Sequence, residues 1–159
     1  MADLSVEPIA GCDLADVMLV RPSGASTPVA TDPLAVALDR AQLEAEEGPC
    51  LHVALDDDPL VRADDLGSDI RWPAFGPTAL ALGVRSALSY RRHLGEDRSD
   101  PIGALNLYGY GTEAFDAAAV GIGEVLAASA PRCSPPRSRS RGCAQRFPRE
   151  TPSGRPRAS

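Results

Sequence analysis

From Pro131 to Ser159 the chain contains no Leu, Ile, Val or Met, and Phe147 is the only large apolar residue there. Eight of those residues are Arg, six are Pro and five are Ser. Such a segment cannot bury enough surface to offset an ordering cost of about 1–2 kcal/mol per residue. It is therefore expected to be a disordered basic tail, which confines folding to residues 1–130. The charge divides at the same place. Residues 1–130 hold 21 of the 22 acidic side chains against eight arginines, while the tail sets eight arginines against Glu150 alone. The formal net charge of -6 thus combines an acidic domain with a basic tail.

Hydrophobic residues make up 43% of the chain, enough for a core. The longest apolar runs fall far short of the roughly 18–20 residues of a membrane span. Asp3, Glu7, Asp13 and Asp16 stand where a secretory signal would carry a basic start. The four cysteines, Cys12, Cys50, Cys133 and Cys143, form no CxxC pair, which argues against a zinc ribbon, a thioredoxin-like site or a disulfide framework. The expectation is a soluble, reduced, cytoplasmic protein.

Within residues 1–130 short strands and helices alternate. Residues 15–20 are an apolar run suited to a strand. Asp32-Pro33 is a helix start, an N-cap acceptor followed by a proline whose φ suits the first turn. Leu34, Leu38, Ala41 and Ala45 follow on one helical stripe, and Gly48-Pro49 ends it. Glu44, Glu46 and Glu47 crowd that end, where the helix dipole disfavours anions. Residues 60–63 form a short strand, and residues 72–82 a short helix interrupted by Pro73 and Pro77 and stopped by Gly83. Residues 86–92 and 102–108 are the strongest strands, and the polar residues 95–101 between them predict a hairpin. Phe115, Ala118, Ala119, Ile122, Val125 and Leu126 make an amphipathic stripe, with Asp116 as cap and a Phe115–Val120 staple. Strands joined by tight turns, with helices at both ends, indicate an α+β domain with a central, mostly antiparallel sheet.

Catalytic signals are weak, and no enzyme is expected. His93 reads as a solvated loop residue, and His52 stands in no metal spacing. Cys50 and His52, two residues apart, diverge on a helix and so make a poor nucleophile–base pair. The acidic runs 56–58 and 64–65 read as solvated loops rather than a cation site, since no EF-hand spacing is present. Gly103, Gly109 and Gly111 make no phosphate loop. Asn106 stands in the middle of an apolar strand, so its amide must bond to backbone, water or ligand, at a cost of about 1–3 kcal/mol if it does not. Residues 137–141, alternating Arg and Ser, suit nonspecific nucleic acid at most, because no aromatics interleave to stack on bases.

The ordered segments Glu47-Gly48-Pro49-Cys50, Asp64-Asp65-Leu66, Asp69-Ile70-Arg71-Trp72-Pro73-Ala74-Phe75, Leu82-Gly83-Val84-Arg85-Ser86, Ile102-Gly103-Ala104-Leu105-Asn106-Leu107-Tyr108 and Ala114-Phe115-Asp116 resemble a GAF domain. The resemblance is to the actinobacterial kind that precedes an ANTAR RNA-binding domain, and it covers roughly residues 10–130. It implies a six-stranded antiparallel sheet flanked by helices, a small-molecule pocket on one side, and sensing rather than catalysis. Such domains bind cyclic nucleotides, tetrapyrroles, haem and other small molecules, and nothing in this sequence selects one of these as cofactor. The Asn-Lys-Phe-Asp-Glu signature of cyclic-nucleotide binding is absent. The family's N-terminal helix, which mediates dimers, is reduced to residues 4–9, so a homodimer would form through what remains of the terminal helices.

On the GAF pattern the ligand-binding set is Trp72, Phe75, Arg85, Tyr90, Asn106 and Tyr108, a mixture of apolar wall and polar anchors. Asn106 and Tyr108 share one strand face, and Ser86, Leu88 and Tyr90 share another. No output domain is legible after Ala130. Shifted by one base, with GC-rich codons, residues 130–141 would read as an Ala- and Val-rich helical continuation, so the tail is expected to be a frameshift product. These readings combine into a truncated relative of GAF–ANTAR transcription antitermination regulators. The alternative is a basic-tailed nucleic-acid-binding protein.

Overall fold

The computed structural model describes residues 9–93 and 102–129. Expectations for the N-terminal segment 4–8, the turn 95–101 and the tail, including its disorder, its reading frame and its Arg-Ser run, lie outside the described residues. The elements in chain order are β1 (Leu14–Arg21), β2 (Gly24–Ala30), α1 (Pro33–Ala45), α2 (Pro49–Leu55), β3 (Leu60–Ala63), α3 (Phe75–Ala81), β4 (Ser86–His93), β5 (Ile102–Gly109) and α4 (Ala117–Ser129). The strands form one sheet of order β2-β1-β5-β4-β3, antiparallel at every step. The α+β class is as expected. The described sheet has five strands, however, not the six that the resemblance implies.

Strand alternation divides the core. Leu14, Met18, Ala87, Ala104 and Tyr108 face α1, α2 and α3, and pack with Leu38, Val53, Trp72 and Phe75. Ala15, Val17, Leu19, Leu88, Leu105 and Leu107 face the opposite side, and pack with Phe115 and Ala119 at the start of α4. The two faces thus carry separate apolar clusters, as period-2 side-chain geometry requires.

Sequence patterns account for four of the strands nearly to the residue. β2 escapes them because its sequence, GASTPVA, has little apolar content and contains Pro28. Pro28 is tolerated because β2 is an edge strand paired to β1 alone, and its missing N–H falls where the β1–β2 register shifts. α1 begins as read: Asp32 Oδ1 accepts from Leu34 N at 2.8 Å, and Pro33 is its first residue. The buried face is Ala35, Leu38, Asp39, Ala41 and Gln42, rotated from the apolar stripe so that Leu34 and Ala45 lie at its margins. The helix stops at Glu46, in the left-handed region at φ 55. Gly48-Pro49 does not end a helix but starts one: Pro49 is the first residue of α2. Glu47 accounts for part of the acidic crowding, because its carboxylate accepts from the Ala74 and Phe75 amides at the start of α3.

α4 is also rolled from its apolar stripe. Asp116 caps it, accepting from Ala119 N at 2.8 Å. Ala119 and Gly123 are buried, whereas Ala118, Ile122 and Val125 are exposed. Gly123 faces the sheet because the ring of Tyr90 occupies the space its side chain would take.

Gly48 joins α1 to α2 under two constraints. Its φ is 139, and an added Cβ would overlap the buried Gln42 side chain. Gly24 has a similar φ of 132 with open space around it. In urea denaturation, Gly48→Ala is expected to cost about 2–4 kcal/mol and Gly24→Ala about 1 kcal/mol, because only the first adds a buried clash to backbone strain.

Candidate functional site

β5 is the middle strand, and the register puts Asp16 of β1 and Ser89 of β4 directly beside its Asn106. All three point at the α1 layer and all three are fully buried. Ser89 Oγ donates to Asn106 Oδ1 at 2.8 Å. Asn106 Nδ2 donates to Asp16 Oδ1 at 2.7 Å and to Asp39 Oδ1 at 3.3 Å. One amide therefore bridges β4, β1 and α1.

Asp39 collects further donors. Thr27 Oγ1 of β2 donates to its Oδ2 at 2.6 Å, and the Tyr108 hydroxyl donates to its Oδ1 at 3.3 Å. Tyr108 in turn accepts from Gln42 Nε2 at 3.0 Å, and Gln42 Oε1 accepts from the Cys50 amide at 2.8 Å. Cys50 Sγ lies 3.4 Å from Met18 Sδ. The chain of contacts runs from β2 through α1 and β5 to the first turn of α2.

The donor count assigns the protons. Asp39 receives Thr27, Asn106 and Tyr108, the environment of an ionised carboxylate. Asp16 receives Asn106 alone, and its Oδ2 meets no protein donor. A proton held on Asp16 eases that deficit, since an O–H donates where a carboxylate only accepts. Burial first, and then the neighbouring Asp39 charge, pushes the Asp16 carboxyl well above its ordinary value. Burial pushes Asp39 up to about 6, and its hydrogen bonds from Thr27, Asp16 and Tyr108 hold it from rising further. Burial likewise pushes the Tyr108 hydroxyl and Cys50 thiol up, with both carboxylates adding to the shift.

Of the sequence-derived binding set, Asn106 and Tyr108 lie inside this network. Trp72 and Phe75 are buried in the same α1-side cluster as Tyr108. Trp72 has the Arg71 guanidinium 4.2 Å above its ring and the His52 ring edge-on at 6.0 Å. Tyr90 is on the opposite face, where its hydroxyl donates to Val120 O of α4 at 2.8 Å. It lines an open cleft of about 410 Å³ with Leu60, Arg92, Glu124 and Ala127. Arg85 is exposed, just before β4. Asp16, Thr27, Asp39, Gln42 and Ser89 were absent from the sequence-derived set. The available signal was Asp16, an acid inside the apolar run 15–20.

The other singled-out groups have structural partners. Cys50 points into the core while His52 pairs with Asp58 at 2.7 Å, so the two diverge. Asp57 pairs with Arg91 at 2.9 Å and Asp64 with Arg62 at 2.6 Å. Asp65 closes a turn on the Gly67 amide and the Ser68 hydroxyl. Among the described residues no cluster of three His, Cys, Asp or Glu side chains converges to hold a metal.

No family model and no curated protein matches the chain. Solved structures do. A domain of a two-component sensor histidine kinase protein from Sinorhizobium meliloti 1021 superposes with a TM-score of 0.55 at 14% identity, covering 73% of this chain and 74% of that one. The photoproduct state of the GAF3 domain of a Synechocystis sp. protein gives 0.53 at 14% identity, covering 73% and 77%. An N-acylhomoserine lactone dependent LuxR family transcription factor from Burkholderia cenocepacia gives 0.51 at 19% identity, covering 76% and 74%. At such identities the likeness establishes the fold, and the fold is GAF-like.

The network sets an order of sensitivity in urea denaturation at pH 5. Asn106→Leu leaves Asp16, Asp39 and Ser89 short of a partner and is expected to cost about 3–5 kcal/mol. Tyr108→Phe removes one donor while keeping the ring, and is expected to cost about 1–2 kcal/mol.

Proposed function

We propose that this chain is a non-enzymatic, small-molecule-sensing regulatory module for signal transduction, a truncated relative of GAF–ANTAR antitermination regulators that works in the cytoplasm. The observation that carries the reading is the buried polar constellation Asp39, Gln42, Asn106 and Tyr108 between the sheet and α1–α2. The resemblance puts a ligand pocket between the sheet and the helices crossing one face, and this is such a layer. A core that served packing alone would be filled at least as well by apolar side chains.

The site's chemistry suits recognition. Asn106, Tyr108 and Gln42 supply donors and acceptors that a ligand can exchange for the bonds they now make with one another. Trp72 and Phe75 supply apolar area nearby. Because Gln42 also holds the Cys50 amide, a ligand that takes Gln42 alters how α2 is seated. That is a route from binding to a change in shape. The exposed Ile122 and Val125 of α4 support a homodimer through terminal helices. Among the described residues no helix is long and apolar enough to cross a membrane.

A thermal-shift screen of a small-molecule library against the full chain tests the proposal, with hits repeated on Tyr108→Phe and Tyr90→Phe. The expected result is a compound class that raises Tm by several degrees in the parent and Tyr90→Phe proteins, and by much less in Tyr108→Phe. Absence of hits contradicts a sensing function. Hits weakened only by Tyr90→Phe move binding to the α4 cleft and contradict the assigned site.

A further inference from the structure

Asp16 and Asp39 each accept from the same nitrogen, Asn106 Nδ2, at 2.7 and 3.3 Å. Both are fully buried. Every element packed around them presents an uncharged group: Met18 from β1, Thr27 from β2, Ser89 from β4, Asn106 and Tyr108 from β5, Gln42 from α1 and the Cys50 thiol from α2. Among the described residues no arginine or histidine pairs with either acid. Arg40, His52, Arg62, Arg71 and Arg91 are engaged by Glu44, Asp58, Asp64, Asp69 and Asp57 respectively. Two ionised carboxylates cannot share one amide in a dry interior without a cation, so at least one proton must stay with the pair.

The geometry points to a proton-operated latch: the Asp16–Asp39 pair holds a proton while α1 and α2 are seated on the sheet, and losing that proton as pH rises unseats them. Asp39 is the α1 side of the latch. Its three donors come from β2 and β5, so repulsion from an ionised Asp16 acts directly on the helix. Gln42, less than one turn later on α1, passes the displacement to α2 through the Cys50 amide. The opposite face of the sheet, where Leu88, Leu105, Leu107 and Phe115 pack, has no share in the network and stays closed. The device operates whether or not the layer also takes a ligand.

The sign follows from where the protons go. Both acids titrate higher in the folded chain than in the unfolded one, Asp39 at about 6 and Asp16 in the raised direction. The folded state therefore keeps protons that the unfolded state has released above about pH 4. The stabilisation is complete below that pH and is lost as pH climbs through 6 and beyond. Each proton held in excess lowers the folding equilibrium constant about tenfold per pH unit.

Urea denaturation of the full chain and of Asp16→Asn, each at pH 5.5 and 7.5, tests the latch. The substitution keeps the side-chain shape and an oxygen for Asn106 Nδ2, and removes the titrating proton. The parent folding constant should fall between those pH values by at least about tenfold more than that of Asp16→Asn. Parallel profiles overturn the proposal. Titration of the aspartate side-chain carboxyl carbons by NMR on the parent chain decides the matter even if the variant fails to fold. At least one aspartate must still be titrating above pH 6, and completion of every aspartate below about pH 5 overturns it. Amide exchange corrected for intrinsic rates should show α1 and α2 losing more protection than β4 and β5 as pH rises, and equal loss overturns the local unseating.

Discussion

An amide side chain carries two N–H donors and a carbonyl oxygen, and burying it on the middle strand of a sheet costs about 1–3 kcal/mol for each group left unpaired. Asn106 meets that demand by taking a hydroxyl from one neighbouring strand and a carboxylate from the other, with a second carboxylate from α1 above. The rest of the α1 layer follows from those choices. Asp39 requires Thr27 and Tyr108, Tyr108 is joined by Gln42, and Gln42 crowds Gly48 and fixes the start of α2. The Gly48 backbone is thus held in its unusual conformation by a demand that begins on the central strand.

The two faces of the sheet obey different physics. The α4 face is held by apolar burial, Phe115 included, and by the Tyr90 hydrogen bond, which respond little to pH or to polar solutes. The α1 face combines apolar packing with a net-anionic network that no cation among the described residues neutralises. Such a network contributes little to stability compared with apolar packing, and its worth depends on every member being satisfied. A layer whose stability is conditional in this way can answer to a proton or a bound molecule, while the dry layer beneath it keeps the domain folded. That division is what the proposed sensing role requires.

Much of this architecture is legible in the sequence. Residues 86–92 and 102–108 are legible as strands because two largely apolar runs flank a polar turn. Asp32-Pro33 marked a helix start because capping is local chemistry. β2 was not legible, since an edge strand half exposed to water needs no apolar pattern. The faces of α1 and α4 were misjudged for related reasons. Apolar counting leaves no place for a buried Asp39 and Gln42, and it did not anticipate that Gly123 would be turned inward by Tyr90. Asn106 was flagged because a polar residue amid apolar ones demands a partner. The same argument applied to Asp16 and would have paired the two, but their adjacency depends on the β1–β5 register, a long-range fact. Tyr90 and Arg85 are grouped with Asn106 by the family resemblance, but strand alternation turns Tyr90 to the opposite face, and Arg85 is exposed just before β4.

The central claim is that the folded chain keeps a proton between Asp16 and Asp39 at neutral pH. The most direct measurement is the number of protons exchanged on unfolding at pH 7, obtained by calorimetry from unfolding enthalpies in buffers of different ionisation heat. An unfolded aspartate has already lost its proton at that pH, so the account predicts release of about one proton as the chain unfolds. Unfolding that releases none, or takes protons up, would contradict it.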